Sequence, residues 1–397
     1  MRWFPLSAIR EKLFGLSARK RIPITGAFEL TPICNFQCKM CYIRKSAGEV
    51  SELGGLQPLD FWLHAAEQAR DAGMLSPLLT GGETFLYPHI RELYQAMYKM
   101  GMEISINSNG SCITEDTVAW LREMPPTRIN ITLYGGSNET YGKLCGDPNG
   151  LDKVRRGVDL LAQNKIRFKF NCSLMPDNAG DLKAMLDFAR SYGLGLRVAT
   201  YMFPPARRIG HGTEFSERLT PQECAYYQVL ADWYQLEPDQ FCRLAANAGR
   251  YQELTPELLA EAAEKPQQKM GCLSGRCSFW IDWQGNLSGC GMMDYPKVSL
   301  KETSFSNAWQ QIVEWTNNAS YCSYCGNCVN HDICYVCAAM VYNETGGFSE
   351  RPAYLCEKAK YAAQYYKEFA EKLPPDVLAA PTDLATAQPE SCVFDED

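Results

Sequence analysis

Between Ala27 and about Met202, six short strand-like runs alternate with longer amphipathic stretches, and no other feature of the chain limits its fold as tightly. The runs are "AFELT", "SPLLT", "EISINS", "RINITLY", "RFKFNCSLM" and "LGLRVATYM". Three of the stretches between them, "FWLHAAEQARDAG", "YPHIRELYQAMYKMG" and "LKAMLDFARSYG", end in glycine, as helices often do. This is a βα repeat of about six units. Right-handed crossovers make such strands parallel, so the expected fold class is α/β: a partial (β/α)6 TIM-like barrel with its working groups at the C-terminal strand ends.

Strands of a parallel sheet are usually apolar on both faces, but here one face is often polar. Asn130, Thr132 and Tyr134 alternate with Ile129, Ile131 and Leu133; Lys169, Asn171 and Ser173 alternate with Phe168, Phe170 and Cys172. The same parity pairs Ser105 with Asn107, and Arg197 with Tyr201. One polar row per strand predicts a wet cavity able to hold a polar ligand; the alternative is that these rows face bulk solvent.

The chain has 18 cysteines, no long apolar run and no signal-peptide pattern. A cytoplasmic location and no membrane span are therefore expected, and in a reducing compartment cysteines point to metal rather than to disulfides. The net charge of -7 arises mostly after Lys372, where six acidic residues and no Lys or Arg follow. Nothing in this charge pattern favours nucleic acid. The segment 367–397 reads as an acidic disordered tail. Residues 1–26 read as an N-terminal basic helix, with Leu6, Ile9, Leu13 and Leu16 at helical spacing for packing on the body.

Three cysteines, Cys34, Cys38 and Cys41, follow the first strand in "CNFQCKMCY". Three thiolates can hold three irons of a [4Fe-4S] cube and leave the fourth open, as catalytic metal sites do; a zinc ion with a distant fourth ligand is the competing reading. The stretch resembles the radical S-adenosylmethionine (SAM) superfamily. That resemblance implies that SAM chelates the open iron through its amino and carboxylate groups, and that one electron cleaves it to a 5′-deoxyadenosyl radical. "TGGE", with Gly81, Gly82 and Glu83, is similar to the family's glycine-rich stretch that meets the SAM amino group. "NSNG", with Ser108, falls where the family contacts SAM again, and Asn171 and Arg197 are placed to reach its ribose or carboxylate. The family usually carries an aromatic residue or histidine before the third cysteine; here it is Met40, with Tyr42 just beyond, and either can meet the adenine.

Nine cysteines fall between Cys272 and Cys356. Their order resembles the SPASM subgroup of that superfamily: Cys272, then Gly285 and Cys290, then Cys325, Cys328, Cys334 and Cys337, then Cys356, with one spacing departure before Cys337. The resemblance implies two auxiliary clusters, one held by Cys272, Cys277, Cys290 and Cys337 and the other by Cys325, Cys328, Cys334 and Cys356. Cys322 competes as a ligand, because "CSYCGNC" has a ferredoxin-like rhythm. The expected organisation is a barrel over 27–215, a helical linker over 216–270 and the SPASM domain over 271–366.

Three [4Fe-4S] clusters and SAM are thus the expected cofactors, and the chain reads as an enzyme rather than an electron-transfer protein, which needs neither SAM site nor cavity. SPASM proteins mostly modify ribosomally made peptides, so the expected substrate is a peptide that gains a carbon–carbon or thioether cross-link. The alternatives are sulfatase maturation, peptide epimerisation and small-molecule dehydrogenation. In sulfatase-maturing relatives an acidic residue follows the hairpin cysteine, whereas here Gly291 does. The short stretch before the first strand leaves no room for a leader-binding winged-helix domain, so a separate leader-binding protein is a candidate partner, beside a flavodoxin or ferredoxin as electron donor.

Overall fold

The computed structural model describes residues 6–373 apart from 211, 270, 271 and 321. Six parallel strands, β1 (Thr25–Glu29), β2 (Ser76–Thr80), β3 (Ser105–Ser108), β4 (Arg128–Leu133), β5 (Phe168–Ser173) and β6 (Leu196–Ala199), lie in sequence order across one sheet. Each of the six runs read from the pattern is one of these strands. Helices Leu59–Asp71, Ile90–Lys99 and Leu182–Ser191 match the three glycine-ended stretches.

Alternation decides which side chains meet the helices. Phe28 of β1 is fully buried against Trp62, ring centroids 6.0 Å apart, and Phe170 of β5 packs on Phe188 and Tyr192. Cys172 points the same way, its thiol 3.6 Å from the Met185 sulfur. The opposite parity carries the polar rows, and these lie side by side on the other face of the sheet. Asn130 Nδ2 donates to Asn107 Oδ1 at 2.7 Å, and Asn107 Nδ2 donates to Thr80 Oγ1 at 3.3 Å. In register beside them stand Thr132, Asn171 and Arg197 on β4, β5 and β6.

The sheet does not end at β1. Strand β7 (Ser278–Ile281), from the cysteine-rich region, pairs parallel with β1, Thr25 opposite Ser278, and leads into antiparallel β8 (Asn286–Ser288) and β9 (Val298–Ser299). The segment "WQGN" makes the turn that joins β7 to β8. Asp282 builds it by accepting from the backbone N–H groups of Gln284 and Asn286, both at 3.0 Å. A boundary at 271 therefore separates two units that share one sheet, because β1 offers an open edge that β7 fills.

The segment expected as a helical linker contains helices Pro221–Gln235, Pro238–Ala248 and Pro256–Glu264. The first two pack on helix Ala353–Ala370 around Val229, Phe241, Tyr366 and Phe369. That last helix crosses the expected start of the tail at 367; residues 374–397, with Cys392, lie outside the described ones. Arg218 forks onto Glu344 at 2.5 and 2.9 Å, and Tyr201 at the end of β6 donates to the same carboxylate at 2.6 Å. The N-terminal helix spans Leu6–Lys20; Ser17 is buried, but Leu13 and Leu16 are exposed, so they do not form the packing stripe expected of them. Among the described residues no helix is long and apolar enough to cross a membrane.

Candidate active site

The loop after β1 carries Cys34, Cys38 and Cys41 at the C-terminal end of the sheet. It is pinned from two sides. Gln37 and Lys39 donate their N–H groups to the carbonyls of Cys145 and Leu144 at 2.7 and 3.1 Å, and Lys45 donates to Pro32. "TGGE" closes the other side: Gly82 N–H donates to the Thr31 carbonyl at 2.6 Å and Glu83 N–H to that of Ile33 at 3.0 Å. A Cβ at Gly82 would stand 2.5 Å from the Ile33 oxygen, so only glycine permits this approach.

Glu83 is fully buried and its carboxylate is occupied by the protein. It accepts from Phe85 N–H at 3.1 Å, Ser108 Oγ at 2.9 Å and Asn109 N–H at 2.8 Å, which ties "TGGE" to "NSNG". Burial raises its pKa above the ordinary value against these hydrogen bonds. Asn109 in turn reaches Asn35 at 2.9 Å and the Cys34 sulfur at 3.7 Å. Met40 is buried in the barrel's main apolar core, while Tyr42 is half-buried with the Arg207 guanidinium 5.6 Å from its ring centre. Asn171 is half-buried and Arg197 exposed on the polar face.

The C-terminal cysteines gather into two groups. Burial pushes the Cys290 thiol up to about 12, and Cys272 and Cys337 add to the effect; Cys277, raised to about 11 by burial, is next to Cys272. In the second group Cys334 is pushed up to about 12 by burial, with Cys356 and Cys328 beside it, and Cys325 lies among Cys322, Cys356 and Cys334. The sets that the resemblance implies draw on these same neighbours, and Cys322 lies beside Cys325 in the second group. Its thiol is drawn down to about 6, chiefly by a hydrogen bond from Cys325. His331 turns its Nδ1 to the Cys325 carbonyl at 2.9 Å. Among the described residues, no three His, Cys, Asp or Glu side chains close around a single metal ion.

One feature that spacing did not disclose marks six of these cysteines. Cys34, Cys272, Cys290 and Cys328 each accept the N–H of the residue two positions on, and Cys41 and Cys322 that of the residue three on, at 3.3 to 3.4 Å. Sulfur that accepts backbone N–H groups is prepared to be a thiolate, the form that binds iron. Cys172 and Cys224 donate, to Met185 and to Thr200, and so does Cys334, to the Leu355 carbonyl. In the first loop, burial pushes Cys34 up to about 12, with Glu83, Cys38 and Cys41 reinforcing it. Crowded thiols that resist ionisation alone fit a cationic iron cluster, which reverses that balance.

Residues 28–189 match the radical SAM superfamily. The AdoMet-dependent heme synthase of Methanosarcina barkeri is 22% identical over 349 residues, 85% of this chain and 97% of the relative. The subtilosin biosynthesis protein AlbA of Bacillus subtilis is 24% identical over 202 residues, 50% of this chain and 44% of the relative. Among solved structures, Streptococcus suis SuiB bound to its precursor peptide SuiA superposes with a TM-score of 0.60 at 14% identity, over 90% of this chain and 82% of SuiB. AdoMet-bound anSMEcpe gives 0.60 at 14% identity, over 88% of this chain and 99% of that one. Residues 28–189 are a radical SAM domain, and the cysteine-rich region that follows resembles the SPASM type.

Proposed function

We propose that this radical SAM enzyme oxidises a ribosomally made peptide by two electrons, closing a carbon–carbon or thioether cross-link. Cys34, Cys38 and Cys41 would hold a [4Fe-4S] cluster, which would supply the one-electron reduction that cleaves SAM. The loop's pins at Gly82 and Glu83 hold the three thiols in place, Asn171 and Arg197 offer polar contacts to SAM from one face of the sheet, and Ser108, whose hydroxyl is bound to Glu83, acts by holding that carboxylate. The observation that carries the oxidation is the pair of cysteine groups, Cys272/Cys277/Cys290/Cys337 and Cys325/Cys328/Cys334/Cys356, attached to the barrel through β7. Two further clusters held there would give electrons released from substrate a place to go. A cytoplasmic flavodoxin or ferredoxin would supply the first electron, and a separate leader-binding protein would present the peptide.

SuiB bound to a precursor peptide and AlbA, named for bacteriocin biosynthesis, support the peptide reading. A heme-type macrocycle is the second reading, favoured by the heme synthases that align along most of this chain. The anaerobically reconstituted enzyme, given SAM, reductant and peptides encoded beside its gene, should release 5′-deoxyadenosine and a peptide lighter by two hydrogens. Tandem mass spectrometry should find an internal segment that resists fragmentation. Unchanged mass with solvent deuterium at an α-carbon would mean epimerisation, and turnover of a heme precursor with every peptide untouched would sink the peptide reading.

A further inference from the structure

A four-residue helix, Ala206–Ile209, carries adjacent arginines that diverge toward the two halves of the molecule. Arg208 donates to the Lys39 carbonyl at 3.2 Å, in the first cysteine loop. The Arg207 side chain is 8% exposed, and its guanidinium clamps both oxygens of Glu29, Nη1 to Oε2 at 2.6 Å and Nη2 to Oε1 at 2.7 Å. Glu29 closes β1 and is fully buried. It also accepts from Trp280 Nε1 of β7 at 2.9 Å and from Trp283 N–H at 3.4 Å. On its far side Arg207 Nη1 lies 3.5 Å from the carbonyl oxygen of Gly291, the residue after Cys290.

A buried ion pair is weak evidence for stability, since desolvation offsets most of the attraction, and apolar replacements are often neutral. Its orientation is the informative part. The cation faces the Cys290 group and the anion faces β1, in surroundings where charge is poorly screened.

We propose that Arg207 is a positioning residue that keeps a positive charge beside the Cys272/Cys277/Cys290/Cys337 group, with Glu29 as counter-charge, and thereby sets how readily a cluster there accepts an electron. This rests on the reading of those cysteines as cluster ligands. The step is a reversible one-electron reduction in which no bond forms or breaks. A nearby cation favours the reduced, more negative state, so its removal must lower the potential and removal of its counter-charge must raise it.

The test is an EPR-monitored redox titration of the full chain with Cys34, Cys38 and Cys41 replaced by Ala, so that only the two C-terminal groups hold clusters and the second serves as internal reference. Arg207→Met should move one signal to lower potential by at least 59 mV, a tenfold change in a one-electron equilibrium. Glu29→Gln should move the same signal upward, and Arg207→Lys, which keeps the charge but not the fork, should leave it near the parent. A merely structural role would disturb all three variants in one direction, together with their melting temperatures, and would overturn the proposal. Unmoved potentials at full iron content would do the same. An unsubstituted Arg207 parent that binds no iron at the Cys290 group would overturn the ligand reading itself. If Arg207→Met does not fold, the upward shift of Glu29→Gln and the unchanged value of Arg207→Lys decide.

Discussion

Glu83 serves two loops at once, and its chemistry sets two expectations. Gln at this position keeps one acceptor oxygen and turns an NH2 group toward donors that the carboxylate satisfied, leaving a buried donor unpaired. That costs about 1–3 kcal/mol, so Glu83→Gln should lower the stability of the metal-free protein by that order in denaturant titration, and should weaken SAM binding through the slackened loops. The pH dependence follows from the raised pKa of the buried carboxyl. Below the ordinary carboxyl range neither folded nor unfolded chain is ionised here. Between the ordinary and the raised value the unfolded chain ionises first, so stability should fall as pH rises through that window and level off above it. The Gln variant should lack this component; parallel pH profiles of the two proteins would contradict the assignment. Replacing Cys34, Cys38 and Cys41 together by Ala should remove about a third of roughly twelve bound irons and abolish 5′-deoxyadenosine formation, with the iron count as readout. The cysteines and "TGGE" were legible because each lies within a few residues of its partners in sequence. Glu29 and Arg207 were not, because 178 positions separate them and neither stands in a motif. The N–H groups aimed at sulfur were hidden for a different reason, since they depend on backbone direction, which residue type alone does not specify.

Strand β7 contributes four residues to the sheet, and its side chains join the barrel's main core. Phe279 is buried against Phe28 and Phe305, with centroids 6.0 and 4.9 Å apart. Gly26 of β1 leaves the space its ring occupies, for a Cβ there would fall 2.0 Å from Phe279 Cζ. Phe279→Ala should therefore cost about 3–5 kcal/mol in chemical denaturation, the loss expected for a core aromatic, although it lies outside the βα repeat. A cost under about 1 kcal/mol would mean that the hairpin only rests on the barrel. Of the elements, β1 to β6 were readable from period-two alternation between helical stretches, with ends off by a few residues: β1 begins at Thr25, not Ala27, and β6 stops at Ala199, not Met202. The hairpin turn was readable from "WQGN". That β7 would dock on β1 was not, because parallel pairing across so long a gap leaves no local mark in either strand.

Taken whole, the barrel and the cysteine-rich domain share a sheet, a core through Phe279 and a buried bracket at Arg218 and Glu344. With no independent interface to part along, the metal-free protein should melt in one calorimetric transition, with equal calorimetric and van't Hoff enthalpies. Two resolved peaks would show that the halves are separable. The placement of β7 also has a bearing on synthesis. Strand β1 leaves the ribosome before the other strands of this sheet, yet the strand that covers its outer edge is made about 250 residues after it. At 5–20 residues per second that interval is roughly 12 to 50 s. Throughout it, the nascent chain presents an unpaired and largely apolar strand edge, the kind of template on which other chains can add. Yield in a foreign host should accordingly depend on chaperone supply and on translation pace across residues 30–278, before iron delivery becomes limiting.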